Sequence, residues 1–570
     1  MTTNLPAFLP NSLIVKPKET ASPSELAALQ AAMGVTQVTT ASQSGIQIWK
    51  TSSGNVEQLI SNNINNPALE YMELDYIITL LPVPTTSPTQ QNLATTTPQT
   101  TLPNDPDFPK LWGLNNTGQT GGKPDKDIDF PEALALVTGT QKKAVGVIDS
   151  GIDYTHPDLA ANMWTNPGEI AGNGIDDDGN LYIDDVYGWD FANNDNDPMD
   201  DNHHGTHVAG TIAAVGNNNL GVIGVAPNNV SLVALKFLDA SGSGATSNAI
   251  LALDYATANG IQITNNSWGG LLPIPSQALE DAITAFEAVG GLFVAAAGNS
   301  SLYTDIFPAY PASYPNANII SVAATDHNDN LAYYSNFGTH SVDIAAPGSD
   351  IFSTLPGNQY GYLSGTSMAS PHVAGAVALV WSQNPTLTAQ EVKQKVMGST
   401  DPYFNPLGVL TSKKGRLNLF KALGGSTANN NSNLGPIQLR SASTLSPAGA
   451  GNLTETAKGG AGQDPLTGAS GADTLKLRFA KSSVSPQDPL THFGSEKIDL
   501  VPQGRAAIDA SSLFTVPTLE KGALPAFTEA NGALAAKQAL ENNSDPFALA
   551  KAGWIADIYP GIYATNQLGF

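Results

Sequence analysis

Between about Asn104 and Gly425 the chain alternates short apolar runs, KAVGVID, VSLVALKFL, IQITNNS, GLFVAAAGN and NIISVAAT, with longer stretches of helical periodicity. Runs this short, apolar on consecutive residues, suit strands buried on both faces, and the helical patterns suit crossovers between parallel strands. The region reads as an α/β fold of three layers, a mainly parallel sheet covered by helices. In open sheets of this kind chemistry gathers beyond the carboxyl ends of the strands. Asp149 closes the first run and Asn299 the fourth, whereas His204 and Ser367 begin Ala- and Val-rich helical patterns.

Size and charge narrow the classes open to the chain. Its 570 residues exceed what one core supports, and one domain per ~150 residues suggests about three or four units. Lys plus Arg total 25 against 50 Asp plus Glu, a formal charge of −25. That argues against nucleic acid and anionic membranes as partners. Much of the acid falls in Asp/Asn/Gly loops, a source of oxygen ligands for calcium. There is no cysteine, which excludes disulfides, a thiol nucleophile and thiolate metal sites. No apolar run reaches the ~20 residues that span a bilayer, so membrane insertion is not expected. The opening MTTNLPAFLPNSLIVKPKET lacks a basic segment followed by an apolar stretch, and does not read as a secretory signal.

Three segments carry chemistry: Asp149 in AVGVIDSGIDYTHPDL, His204 in HHGTHVAG and Ser367 in LSGTSMASPHVAG. A serine hydroxyl is a poor nucleophile until an imidazole takes its proton and a carboxylate orients and stabilises that imidazole. These residues can fill those roles. Their order and context resemble the subtilisin-like serine proteases, whereas trypsin-like enzymes run His, Asp, Ser and α/β-hydrolases Ser, Asp, His. The resemblance covers about 104–425 and implies a peptidase domain there. It implies Ser367 as nucleophile, His204 as base and then acid, and Asp149 as the orienting carboxylate. Asn299 in VAAAGNS matches the family's oxyanion donor, acting beside the Ser367 backbone N–H.

The same resemblance assigns the substrate edges. Ser267, Trp268, Gly269 and Gly270 on one side, and Ser241, Gly242, Ser243 and Gly244 on the other, match the segments that hold an extended polypeptide as an added strand. Trp268 stands where a smaller aliphatic residue is common. His203 also departs from the pattern, since glycine usually precedes the catalytic histidine; perturbation of His204 and simple exposure both stay open for it. His156, His207 and His372 match positions that serve structure.

Flanking segments suggest further units. Over residues 1–81 the patterns run strand, helix, strand, strand, helix, strand, with Ser22 capping the helix from Pro23 to Met33. This ferredoxin-like α+β order resembles the propeptide of subtilisin-like zymogens, which implies a folding aid and inhibitor and makes the chain's own propeptide a partner. Residues 82–103 are rich in Thr, Pro and Gln and read as a linker with a processing site. After a second linker, 426–458, GGAGQDPLT and GASGADTLK match position by position, Asp464 with Asp473 and Leu466 with Leu475. They resemble the calcium repeat of RTX proteins, so 459–570 is expected to form a small β-roll-like, calcium-binding tail. That would explain export, by a type I secretion system, without an N-terminal signal.

Three acidic clusters point to structural calcium. In GNGIDDDGNLYIDD, Asp176, Asp178 and Asn180 stand at alternate positions and Asp184 four further on, as in an EF-hand-like loop without its final Glu. In WDFANNDNDPMDD, Asp190, Asn193, Asp195 and Asp197 resemble the calcium loop before the catalytic histidine of thermitase-like members. Asp105, Asp158 and Asn218 match a high-affinity site of many family members, one that would clamp distant segments. No His cluster has zinc spacing, so a catalytic metal is not expected. The expectation is a secreted, calcium-stabilised, self-processing serine endopeptidase. Its rivals are a calcium-dependent surface-binding protein on the same scaffold and an esterase using the same serine, the latter without a G-x-S-x-G elbow.

Overall fold

The computed structural model describes residues 7–80, 102–139, 141–270, 275–402, 411 and 415–425, with the backbone of five short strands beyond residue 450. The chain divides into two units, Met1–Thr427 with Ile558–Phe570, and Ala428–Asp557. The first unit opens with β1 (Phe8–Pro17), α1 (Pro23–Ala32), β2 (Val35–Ala41), β3 (Ile46–Thr51), α2 (Val56–Asn63) and β4 (Leu69–Thr79). Their antiparallel order β2-β3-β1-β4 is ferredoxin-like, as the patterns imply. Ser22 and Glu25 form a capping box that starts α1, and Asn55 caps α2. Leu13 and Val15 of β1 pack with Leu29, Met33, Trp49 and Val56 in a core of their own.

The elements that follow are α3 (Phe130–Leu134), β5 (Lys143–Asp149), β6 (Gly188–Asp190), α4 (His204–Ala213), β7 (Val230–Lys236), β8 (Ser243–Ala245), α5 (Thr246–Ala258), β9 (Ile263–Asn266), α6 (Gln277–Ala288), β10 (Leu292–Ala296), β11 (Ile319–Thr325), β12 (Ile344–Pro347), β13 (Ile351–Leu355), β14 (Gln359–Leu363), α7 (Thr366–Gln383), α8 (Ala389–Met397), β15 (Thr400–Pro402), β16 (Gly415–Leu417) and α9 (Leu419–Ala422). Among the described residues, nine strands form one sheet in the order β15-β16-β12-β11-β10-β9-β5-β7-β6. Its pairings are parallel except that of β15 with β16. All five apolar runs lie in this sheet.

Strand alternation divides the burial between two layers. Leu292 and Val294 of β10 share a core with α4 and α7, while Phe293 and Ala295 share another with α5 and α6. The sheet is therefore covered on both faces, which is why its strands read as continuous apolar runs.

The leading domain is seated on the α5–α6 layer. β4 pairs antiparallel with β8, Ile77 opposite Ala245 and Thr79 opposite Ser243, so its sheet gains a fifth strand from the larger domain. Buried Asp75 accepts from the Ser247 N–H at 2.9 Å and hydroxyl at 2.7 Å, at the first turn of α5. Glu73 accepts from the Ser276 hydroxyl and the Gln277 N–H at the start of α6. In return Asp254 of α5 accepts from the N–H groups of Ser42 and Gln43 in the β2–β3 turn. Carboxylates at two helix N-termini gain from the helix dipole as well as from the hydrogen bonds. Asp75→Ala would leave two buried donors of Ser247 unpaired. It is expected to lower the urea-unfolding stability of the full chain by about 2 kcal/mol, read in a Ser367→Ala background.

The second unit shows β17 (Thr454–Ala457), β18 (Leu466–Thr467), β19 (Thr474–Leu477), β20 (Leu490–Thr491) and β21 (Lys497–Leu500). β17, β19 and β21 pair in parallel in one sheet, β18 and β20 in another. Asp464 and Asp473 lie outside the described residues. No helix among the described residues is long and apolar enough to cross a membrane.

Candidate active site

Asp149 ends β5 and His204 begins α4, and His204 Nδ1 lies 2.7 Å from Asp149 Oδ1. That oxygen also accepts the Ser150 N–H at 2.8 Å, while Oδ2 is buried with no hydrogen-bond partner. A fully buried carboxylate with one oxygen unpaired leans on the imidazole beside it. Burial pulls the imidazole down, but the charge and hydrogen bond of Asp149, with Asp200 behind, outweigh it and hold His204 above its ordinary value.

Two residues that the sequence did not mark out hold this pair. The Ser150 hydroxyl donates to Asp200 Oδ1 at 2.8 Å and accepts the Gly205 N–H at 2.9 Å. Asp200 accepts further from the N–H groups of Asn202, His203 and Thr206 and from the Thr206 hydroxyl, capping the head of α4. Gly205 faces the Gly151 carbonyl so closely that no Cβ fits. His203 has φ 103°, a left-handed backbone that suits the glycine expected there. Its side chain is exposed, and partial burial of the ring outweighs Asp200 in lowering its pKa.

Ser367 is the second residue of α7. Pro371 has no N–H to give the Ser367 carbonyl, and the Ser267 hydroxyl donates to that carbonyl instead, at 2.8 Å. The Ser367 hydroxyl in turn donates to the Ser267 carbonyl at 3.0 Å, not to His204. Apo geometry of this kind is ordinary for a nucleophile whose base engages in the substrate complex. Asn299 Oδ1 accepts the Thr366 N–H at 2.9 Å and hydroxyl at 2.8 Å, which fixes the amide at the helix start.

Ser267, Trp268, Gly269 and Gly270 line a pocket with Ala296, Gly298, Asn299, Tyr310 and Ser367, and Leu80 of the leading domain lines it too. The Leu80 N–H donates to the Gly242 carbonyl at 2.9 Å, continuing the pairing of β4 along Ser243 and Gly244. Ser241 lies in the same turn, bonded to Asp239. Trp268 is 3% exposed and stacks edge-on against Phe237 and Phe293, so much of its bulk lies in the α5–α6 core. His156, His207 and His372 are all buried and bonded to backbone. Burial pushes His207 down to about 3 and His372 to about 4.

The acidic clusters fold in distinct ways. Between β5 and β6, carboxylate oxygens of Glu169, Asp178 and Asp185 lie within 4.8 Å of one another. Three carboxylates this close repel unless a cation or protons intervene, and the hard-oxygen set suits calcium. Asp176 accepts from the N–H groups of Gly179, Asn180 and Leu181, and Asp184 from those of Asn173 and Gly174, so these two shape the loop. The Asn180 amide bridges Asp178 and Asp185. Glu169 and Asp185 fall outside the alternate spacing and become ligand candidates only once the loop folds. Asp190 accepts from Asn193, Asp195 from the Asp197 N–H, and Asp197 from the Tyr154 hydroxyl. Asp105 and Asp158, both buried, meet at Asn218, whose N–H and amide reach them at 3.2 Å and 2.7 Å.

An acid–base pair, a serine at a helix start, an amide beside it and a paired strand edge together fit acyl transfer to a peptide carbonyl. The family model for the subtilase family matches residues 140–433, and one for the fervidolysin N-terminal prodomain matches residues 2–75. The chain belongs to the subtilase family and is a subtilisin-like serine endopeptidase with an N-terminal prodomain. It is 36% identical over 425 residues to thermophilic serine proteinase from Bacillus sp. (strain AK1), covering 73% of this chain and 88% of that protein. It is 38% identical over 321 residues to thermitase from Thermoactinomyces vulgaris, 56% of this chain and 99% of that one. Subtilisin DY from Bacillus licheniformis is 43% identical over 253 residues, 44% and 81% of the respective chains.

Two pH effects follow. With His204 as the expected general base, kcat/KM should fall as pH drops through a value above the ordinary 6.5; Asp149→Asn should move that limb down and cost about 10⁴-fold in kcat. His207 and His372 stay neutral in the fold but take up protons once unfolded, so stability should be full above about pH 6.5 and fall toward pH 4. Urea unfolding of Ser367→Ala at pH 7 and 4.5 reads the difference, which His372→Gln should reduce.

Proposed function

We propose that the chain is a calcium-stabilised zymogen that cuts itself and then polypeptide substrates through an acyl-enzyme on Ser367. The observation that carries this is the 2.7 Å contact of His204 with Asp149, in the same domain whose substrate edge already pairs with β4 and Leu80. Ser367 Oγ attacks the peptide carbonyl as His204 takes its proton, and Asn299 with the Ser367 N–H receives the oxyanion. His204 then protonates the leaving amine, and water completes the cycle. The prodomain is 1–81, the peptidase domain 104–425, and cleavage falls in 82–103. Mass spectrometry of the unmodified chain and of Ser367→Ala tests this. Loss of about 100 N-terminal residues in the first alone is expected; identical full-length species would refute self-processing.

Calcium is held by Glu169, Asp178 and Asp185, by the Asp190–Asp197 loop, and by Asp105, Asp158 and Asn218. Saturating calcium at 100 times its Kd is expected to stabilise the fold by about 2.7 kcal/mol, seen as a higher melting temperature than in chelator. Glu169→Gln with Asp185→Asn should shrink the difference, and equal melting temperatures would dismiss the metal. The protein acts outside the cell, and the repeats GGAGQDPLT and GASGADTLK mark an RTX-like, calcium-binding region that serves type I export. The alternation of β18–β21 between two parallel sheets supports that reading, and β17 extends one of these sheets from within 426–458, the segment expected to be a linker.

A further inference from the structure

Burying an ammonium costs several kcal/mol unless each donor finds an acceptor. Lys236 ends β7 and is 1% exposed. Sheet register sets it opposite Asp149 on β5 and opposite Asp190 on β6. Its donors reach the Ser150 carbonyl at 2.9 Å, the Leu238 carbonyl at 2.8 Å and Asp201 Oδ1 at 2.6 Å. A methionine would fill similar space without that desolvation, but would leave both carbonyls unpaired.

Each acceptor belongs to a different part of the site. Ser150 gives its N–H to Asp149 and joins Asp200 to Gly205 through its hydroxyl. Asp201 follows Asp200 in the loop that presents His204. Leu238 leads into the turn of Ser241–Gly244, where β8 begins.

We propose that Lys236 is a positioning residue for the acid–base pair, its ammonium pinning the Asp149 strand, the His204 loop and the entry to the substrate edge at one point. It touches neither substrate nor reacting atoms and acts through Ser150 and Asp201. When the ammonium is lost, the Ser150 carbonyl and Asp201 are released and the His204–Asp149 contact loosens. A misplacement on the scale of an ångström costs on the order of 10²-fold, and here the loss falls on kcat.

The test uses the full chain, with Lys236→Met and Asp201→Asn made alone and in the Asp149→Asn background, and kcat and KM taken per mole of folded protein. Lys236→Met is expected to lower kcat about tenfold or more with KM within about threefold, and Lys236→Arg to restore part of it. In Asp149→Asn, where the pair is already broken, the same change should cost less than about threefold. A smaller fall in kcat, a loss carried by KM, or an undiminished effect in Asp149→Asn would each overturn the proposal. If Lys236→Met does not fold, Asp201→Asn at its half-exposed position decides by the same cycle, with an expected fall of about fivefold.

Discussion

The catalytic geometry rests on keeping Asp149 against His204 although 55 positions separate them in the chain. Neither group is comfortable alone. The carboxylate is buried with an oxygen unpaired, and burial disfavours the imidazolium, so each supplies the solvation that the other has lost. Such a pair is useful only if its spacing is rigid, because a buried charge parted from its partner is strongly destabilising. The parallel sheet provides that rigidity by ending β5 and β7 side by side. Ser150 and Asp200 then carry it across to α4, where the contact of Gly151 with Gly205 leaves no room for slippage.

In the proposed zymogen the same strand edges hold either the prodomain or a substrate. β4 pairs with β8, Leu80 takes the Gly242 carbonyl, and Leu80 also enters the pocket formed by Ser267–Gly270. Those backbone groups bond one strand at a time. The prodomain's hold on the edge is reinforced away from it, by Asp75 and Glu73 at the starts of α5 and α6 and by Asp254 under the β2–β3 turn. In the proposed zymogen, inhibition follows from this pairing, and the charge–dipole contacts add to the hold.

Much of this was legible in the sequence, because strands buried on both faces leave continuous apolar runs and capping residues announce helices. All five runs lie in the nine-stranded sheet, and the prodomain's six elements fall in the anticipated order. What escaped depends on folding to bring residues together. Glu169 and Asp185 break the alternate spacing of a calcium loop, and converge on Asp178 only through the turns that Asp176 and Asp184 cap. Lys236 sits in VALKFL, where an apolar pattern conceals the one charged residue. His203 looked like a departure in chemistry, yet the φ of 103° makes it first a departure in backbone, with the ring turned outward.

The nucleophile shows how one covalent constraint organises its neighbours. Pro371 inside α7 strips the Ser367 carbonyl of its helical donor, and an unpaired buried carbonyl would be costly. Ser267 supplies the donor and, through its own carbonyl, accepts the Ser367 hydroxyl. The residue that begins the Ser267–Gly270 wall is therefore the one that holds the serine at rest. In the proposed mechanism a peptide laid along that wall meets the nucleophile through a hydrogen-bonded neighbour, so substrate seating and release of the hydroxyl toward His204 share a single residue.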